Sequence, residues 1–233
     1  MPSSYKYLDV IASLFVAILI VSNIASSAKI VDVGFSLFGI PLVFDGGTLL
    51  FPLAYVLGDV LTEVYGFKAA RRVIWTGFAA LGLSAMVFFL LRILPPEAAW
   101  EAETGSAAYN AVLGGMSSGG IVLASLAAYL AGEFSNAVVL SKLKIKMKGR
   151  LLWVRTIGST LVGEMLDTVI FVLIATAAGV FGWSLFWPLV ITNYLLKCGI
   201  EAVMTPLTYL LSRFLKRKEG IDVYDLGVKY TLI

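Results

Sequence analysis

Two carboxylates, Asp59 and Glu63, stand four residues apart in the otherwise apolar stretch from Ala54 to Gly66. On a helix that spacing stacks both acids on one face, with Tyr55 one turn earlier. The stretch is too apolar for a surface helix and too acidic for lipid filler. Acids inside a membrane span are costly and mark a functional site by default. Part of the pattern returns: Ala54-Tyr55-x-x-Gly58-Asp59 is echoed by Ala128-Tyr129-x-x-Gly132-Glu133, and Gly163-Glu164 is followed by Asp167. A glycine beside each acid would let a neighbouring helix approach and keep the carboxylate out of lipid. Asn136 follows Glu133 by one turn, and Asn193, Lys197 and Glu201 recur every four residues.

The chain around these residues is strongly apolar. Of 233 residues 59% are hydrophobic and 14% charged, and the mean hydropathy is +0.91. Such a composition excludes an ordinary soluble domain. The net charge of +3 sits in short loops and does not imply nucleic acid. With no histidine and one cysteine, Cys198, there is no histidine general base, no His-ligated zinc or haem and no intrachain disulfide. No metal site and no cofactor are expected.

The apolar runs predict an all-α polytopic membrane protein, one integral domain over residues 1–233. Its six spans lie at about 5–28, 48–66, 73–94, 119–141, 156–180 and 184–212. The first run is long for a signal peptide, although Ala25-Ser-Ser-Ala28 resembles a cleavage site. Alternation from Val31 to Leu37, broken at Gly39-Ile-Pro41, predicts a short β-hairpin-like outer loop between helices 1 and 2. Residues 95–118 read as the longest loop, acidic and rich in Gly and Ala. Lys142 to Arg155 is the strongest basic loop and suits anionic lipid. The tail after Lys218 reads as short and polar and is expected in the cytosol. Basic residues collect on one side of the spans, which places both termini in the cytoplasm.

With that topology, Asp59, Glu133, Asn136, Glu164, Asp167 and Lys197 fall at similar depths, the central and inner part of the bilayer. The acids Asp59, Glu63, Glu133, Glu164, Asp167 and Glu201 face one buried lysine and cannot all be ionised in a dry cavity. Some are protonated, or Arg71, Arg72 and Arg155 pair with the shallower ones, or the ligand supplies protons or positive charge. Glu63 leans toward a structural pair with Arg71 or Arg72. A carboxylate accepts two parallel N–H bonds well, as a guanine-like edge would offer. Tyr55, Tyr129 or Tyr194 could stack on a flat ring. A purine-like base fits, and polyamines or metal cations stay open on this chemistry.

Phe51-Pro52-x-x-Tyr55-x-x-x-Asp59-x-x-x-Glu63-x-Tyr65-Gly66 and Ala70-Arg71-Arg72 resemble the signature of the queuosine precursor transporter family, also called the vitamin uptake transporter family. So do Gly132-Glu133-x-x-Asn136, Arg155-Thr156-Ile-Gly158-Ser159-Thr160, Glu164 with Asp167, and Asn193-Tyr194-x-x-Lys197-x-x-x-Glu201. The resemblance spans nearly the whole chain. It implies a six-helix carrier of the cell inner membrane, not an enzyme, that imports 7-deazaguanine precursors of queuosine such as the 7-cyano and 7-aminomethyl forms. The expected substrate-binding set is Tyr55, Asp59, Glu133, Asn136, Glu164, Asp167, Asn193, Lys197 and Glu201. The expected partners are that small molecule and the lipid bilayer; a homo-oligomer stays open. The residues alone leave three other readings: a proton- or cation-coupled carrier of another small solute, an intramembrane enzyme using Asp59 and Asp167 as an acid/base pair, and a substrate-binding subunit with an energising partner.

Overall fold

The computed structural model describes residues 5–37 and 40–232. Phe38 and Gly39, where the sequence places the break in the outer loop, lie outside the described residues. The chain runs through α1 (Leu8–Ala28), β1 (Ile30–Leu37), β2 (Ile40–Asp45), a 3₁₀ turn (Gly46–Leu49), α2 (Phe51–Tyr65), α3 (Phe67–Ile93), α4 (Ala98–Glu103), α5 (Gly105–Ser117), α6 (Gly119–Lys146), α7 (Leu152–Ala177) and α8 (Phe186–Glu219). The two strands pair antiparallel, with Ile30 opposite Asp45 and Val31 opposite Phe44.

Helix α2 is the centre of the bundle. Pro52 sits in its first turn, where a missing N–H costs nothing. From Val56 to Tyr65 every residue is buried, the signature of a helix surrounded on all sides. It packs against α1, α3, α6 and α8. Phe15 of α1, Phe67 at the head of α3 and Leu215 of α8 join Val60, Leu61 and Val64 in one apolar core. Gly66, at φ +81°, makes the elbow from α2 into α3.

Four helical stretches are long and apolar enough to cross a membrane: Leu8–Ser26, Phe67–Ile93, Gly105–Lys146 and Leu152–Ala177. The protein is a multi-pass membrane protein. The expected count of six is not reached by length and composition. Helix α2 has 15 residues, about 22 Å of rise against a hydrocarbon core of about 30 Å. Helix α8 carries Lys197, Glu201 and a basic end.

One other expectation is corrected. Residues 95–118 hold helices α4 and α5 rather than a loop. The Glu97 carboxylate caps α4 by accepting from the N–H groups of Ala99 and Trp100 at 3.0 and 2.8 Å. Tyr109 of α5 donates to the Phe88 carbonyl at 2.8 Å and ties α5 to α3. The tail beyond Glu219 is tied to the bundle. Asp225 accepts from the Phe67 N–H at 2.9 Å, capping α3 from a distant part of the chain, and from the Ser141 hydroxyl at 2.6 Å. Trp75 donates to the Leu232 carbonyl at 2.7 Å. A short polar tail is indistinguishable in composition from a solvated one, so these contacts leave no mark in the sequence.

The closest helix crossing joins α6 to α7. A Cβ on Gly132 would lie 2.8 Å from the Cβ of Asp167, and one on Gly163 would lie 2.8 Å from the Cβ of Asn136. The two glycines are reciprocal notches, and backbone meets backbone there. Gly163→Val is expected to lower stability by about 1–3 kcal/mol through overpacking, read as a lower thermal midpoint in detergent. An unchanged midpoint would refute the close crossing.

Candidate functional site

The glycine crossing places the chemistry. Glu133 and Asn136 follow Gly132 on α6, and Glu164 and Asp167 follow Gly163 on α7, so the notch sets both polar pairs at one level. Gly58 on α2 continues it: a Cβ there would stand 3.1 Å from Oε2 of Glu133. Asp59 is therefore brought beside α6, and Asn136 donates its amide to Oδ1 of Asp59 at 2.9 Å.

Lys197 enters from α8. Its ammonium pairs with Asp167 and lies 3.0 Å from Oε2 of Glu164. It also stands 5.5 Å over the ring of Phe51. Phe51 stacks against Tyr55 at 6.2 Å with planes 12° apart. Tyr55 is an immediate neighbour of Glu164, Lys197 and Asp167. A flat aromatic pair, two carboxylates and one ammonium thus meet between α2, α7 and α8. Glu201 follows Lys197 by one turn of α8. It is fully buried, and neither carboxylate oxygen has a hydrogen-bond partner among the described residues.

Eight of the nine expected residues are gathered in this way: Tyr55, Asp59, Glu133, Asn136, Glu164, Asp167, Lys197 and Glu201. Asn193 is the exception: it is exposed. Four residues advance a helix by about 400°, so a face repeated every four drifts about 40° per step. Two steps separate Asn193 from Glu201, enough to turn it outward.

Glu63 has different partners from those expected. It pairs with Arg155 of α7, with Lys216 of α8 at 2.6 Å and with Lys144 of α6 at 3.8 Å. Arg71 instead donates to the carbonyl and hydroxyl of Thr231 at 2.9 and 3.1 Å. Asp222 in the tail bridges Lys144 at 2.6 Å and Lys216 at 2.8 Å. Burial pushes the Asp222 pKa up, but hydrogen bonds from Lys144 and Lys216 outweigh it and hold the carboxyl below its usual range. Lys144 further donates to the carbonyls of Glu63 and Val223 at 2.6 and 2.7 Å. This network ties α2, α6, α7, α8 and the tail together at the end of the bundle that holds both chain termini. Lys144, Lys216 and Asp222 were not singled out by sequence reasoning, since a basic loop and tail read equally well as lipid contacts.

A cavity of ≈ 10 Å³ lies between Gly58, Thr62, Glu133 and Asn136, room for about one water. Among the described residues no three His, Cys, Asp or Glu side chains are arranged to hold a metal ion.

The Glu63 network predicts an asymmetry between variants. Glu63→Ala leaves Arg155, Lys144 and Lys216 without their shared anion and is expected to cost about 3–5 kcal/mol. Arg155→Met leaves Glu63 with two lysines and is expected to cost less. Thermal unfolding in detergent checks the order, and the reverse order would refute the assignment of Glu63 as the hub.

Comparisons with known proteins agree with this architecture. Residues 45–211 match the family described as "Putative vitamin uptake transporter". The chain is 28% identical over 174 residues to the "Probable queuosine precursor transporter" of Bacillus subtilis (strain 168), covering 74% of this chain and 73% of the relative. It is 26% identical over 198 residues to the "Queuosine precursor transporter" of Escherichia coli (strain K12), covering 83% and 84%. No solved structure matches. The family match takes in α2, α3, α6, α7 and most of α8, the helices that carry every gathered residue. The chain belongs to the vitamin uptake transporter family, a family of membrane transporters and not of enzymes.

Proposed function

We propose that this protein imports a 7-deazaguanine precursor of queuosine, such as 7-cyano-7-deazaguanine or 7-aminomethyl-7-deazaguanine. The observation that carries the reading is the meeting of Glu164, Asp167 and Lys197 with the Phe51–Tyr55 stack at the head of α2. A carboxylate of Glu164 or Asp167 accepts the paired N–H groups of a guanine-like edge. Lys197 leaves its acids to donate to the ring carbonyl or the nitrile. Tyr55 and Phe51 stack on the base. Asp59, Asn136 and Glu133 flank the base from α2 and α6, and Glu201 lies one turn beyond. The names of the relatives from Bacillus subtilis and Escherichia coli support a queuosine precursor as the solute.

In this reading the whole chain is one membrane domain of the cell inner membrane with six crossings, α1, α2, α3, α6, α7 and α8. Contacts at one end of the bundle support that count. Glu219 accepts from the N–H groups of Lys6 and Tyr7 and from the Tyr65 hydroxyl. The start of α1, the end of α2, the start of α3, the ends of α6 and α8 and the start of α7 thus share that end. Lys144, Arg150, Arg155 and Lys216 also collect there, which assigns it to the cytoplasm. The paired strands β1 and β2 then lie on the outer surface. The Glu63 network closes the cytoplasmic mouth. Pro206 within α8 lacks the N–H that a helix needs and supplies a point of bending just beyond Glu201.

Uptake of labelled 7-cyano-7-deazaguanine by cells producing Asp167→Asn or Lys197→Met, at equal protein level, is expected to fall at least about tenfold, the effect of about 1.4 kcal/mol. Unaltered uptake would overturn the reading.

A further inference from the structure

Among the described residues, Asp59, Glu133 and Glu201 have no cation within ion-pair distance. Lys197 serves Glu164 and Asp167, and Arg155, Lys144 and Lys216 serve Glu63. Asp59 and Glu201 are both fully buried. Oδ2 of Asp59 and both oxygens of Glu201 have no hydrogen-bond donor among the described residues. The two carboxyls are electrostatic neighbours across α2 and α8.

The groups facing them come from every helix packed nearby. Asp59 is faced by Glu133 and Asn136 from α6 and by Glu63 one turn along α2. Glu201 is faced by Glu164 from α7. From α1 and α3, Phe15, Ala70 and Ile74 line the small cavity beside Gly58, the residue before Asp59. An ionised carboxylate at either position has no cation within ion-pair distance and no exposure to solvent, so a proton there removes the charge that burial penalises.

We propose that Asp59 and Glu201 form a proton-carrying site that couples inward movement of the solute to an inward proton gradient. The site accepts a proton from outside water when the pocket faces out. With the carboxyl neutral, α2 and α8 can stay packed around the loaded solute. When the pocket opens inward, the O–H bond breaks and cytoplasmic water takes the proton. At least one proton enters per solute, and no bond in the solute is made or broken. The proposal rests on the transporter reading above.

The test uses the purified full chain in liposomes with labelled 7-cyano-7-deazaguanine. Counterflow from preloaded vesicles reads solute exchange without net proton movement. Accumulation under an inward acid gradient of about two pH units reads coupling; one proton per solute permits at most about 100-fold concentration. The native protein is expected to show counterflow, to concentrate the solute several-fold under the gradient and to acidify the vesicle interior as solute enters. Glu201→Gln is expected to reach only the outside level under the gradient, a final level that does not depend on how fast its counterflow runs. Glu201→Asp, which restores a titratable carboxyl, is expected to recover part of the concentration. Asp59→Asn is expected to lose it as well. Counterflow in the native protein without any response to the gradient would overturn the proton site and leave the transporter reading intact. Full concentration by Glu201→Gln would do the same. Absence of counterflow in the native protein would overturn the transporter reading, and the proton site with it.

Discussion

A carboxylate shut inside a dry helix bundle needs a cation, a hydrogen-bond donor or a proton, and this constraint arranges the protein. Five of the buried or half-buried acids show the division. Glu63 takes three cations and becomes a structural hub at the end that holds the termini. Glu164 and Asp167 share one lysine, which also faces an aromatic ring. Asp59 has one amide donor on one oxygen, and Glu201 has none. Charge compensation is complete where the bundle is tied shut and incomplete where a solute is proposed to enter. A site left short of partners is poised to accept them from a ligand.

The backbone makes that gradient by close approach. Gly132 and Gly163 let α6 and α7 touch, and Gly58 lets the Glu133 carboxylate reach α2. Without those notches the acids would stand a side chain further apart, each facing its own neighbours. The acids need shielding from lipid, and the glycines supply it by letting the helices close over them. The tail serves the opposite end. Asp222 and Asp225 complete the ion network and cap α3, so the last residues of the chain hold the first half of the bundle.

Much of this was legible in the residues. The Gly-acid pairs announced close helix contacts, and eight of nine expected site residues are gathered because buried acids on apolar helices have few places to go. Other features were hidden for physical reasons. Asn193 shares a four-residue spacing with Lys197 and Glu201, but spacing by four drifts around a helix and carries it outward. Glu63 was expected to pair with arginines nearby in sequence, Arg71 or Arg72. Its partners Arg155 and Lys216 are brought in by tertiary packing that spacing along the chain does not encode. Helices α4 and α5 were concealed in an alanine- and glycine-rich segment whose ends are set by the Glu97 cap and by contact with α3. Helix α2 is shorter than a membrane is thick, so apolar length, the strongest cue to a span, is weakest for the helix at the centre.

The lone cysteine offers the most direct measurement of whether the Lys197 cluster is where the solute sits. Cys198 is partly accessible and adjoins Lys197, Tyr194 and Glu164. Its rate of modification by a small maleimide can be followed in the native protein in membranes. The account predicts that 7-cyano-7-deazaguanine slows the reaction several-fold in a saturable way and that adenine, which lacks the paired N–H edge, does not. Modification at an unchanged rate while the solute is being taken up would contradict it.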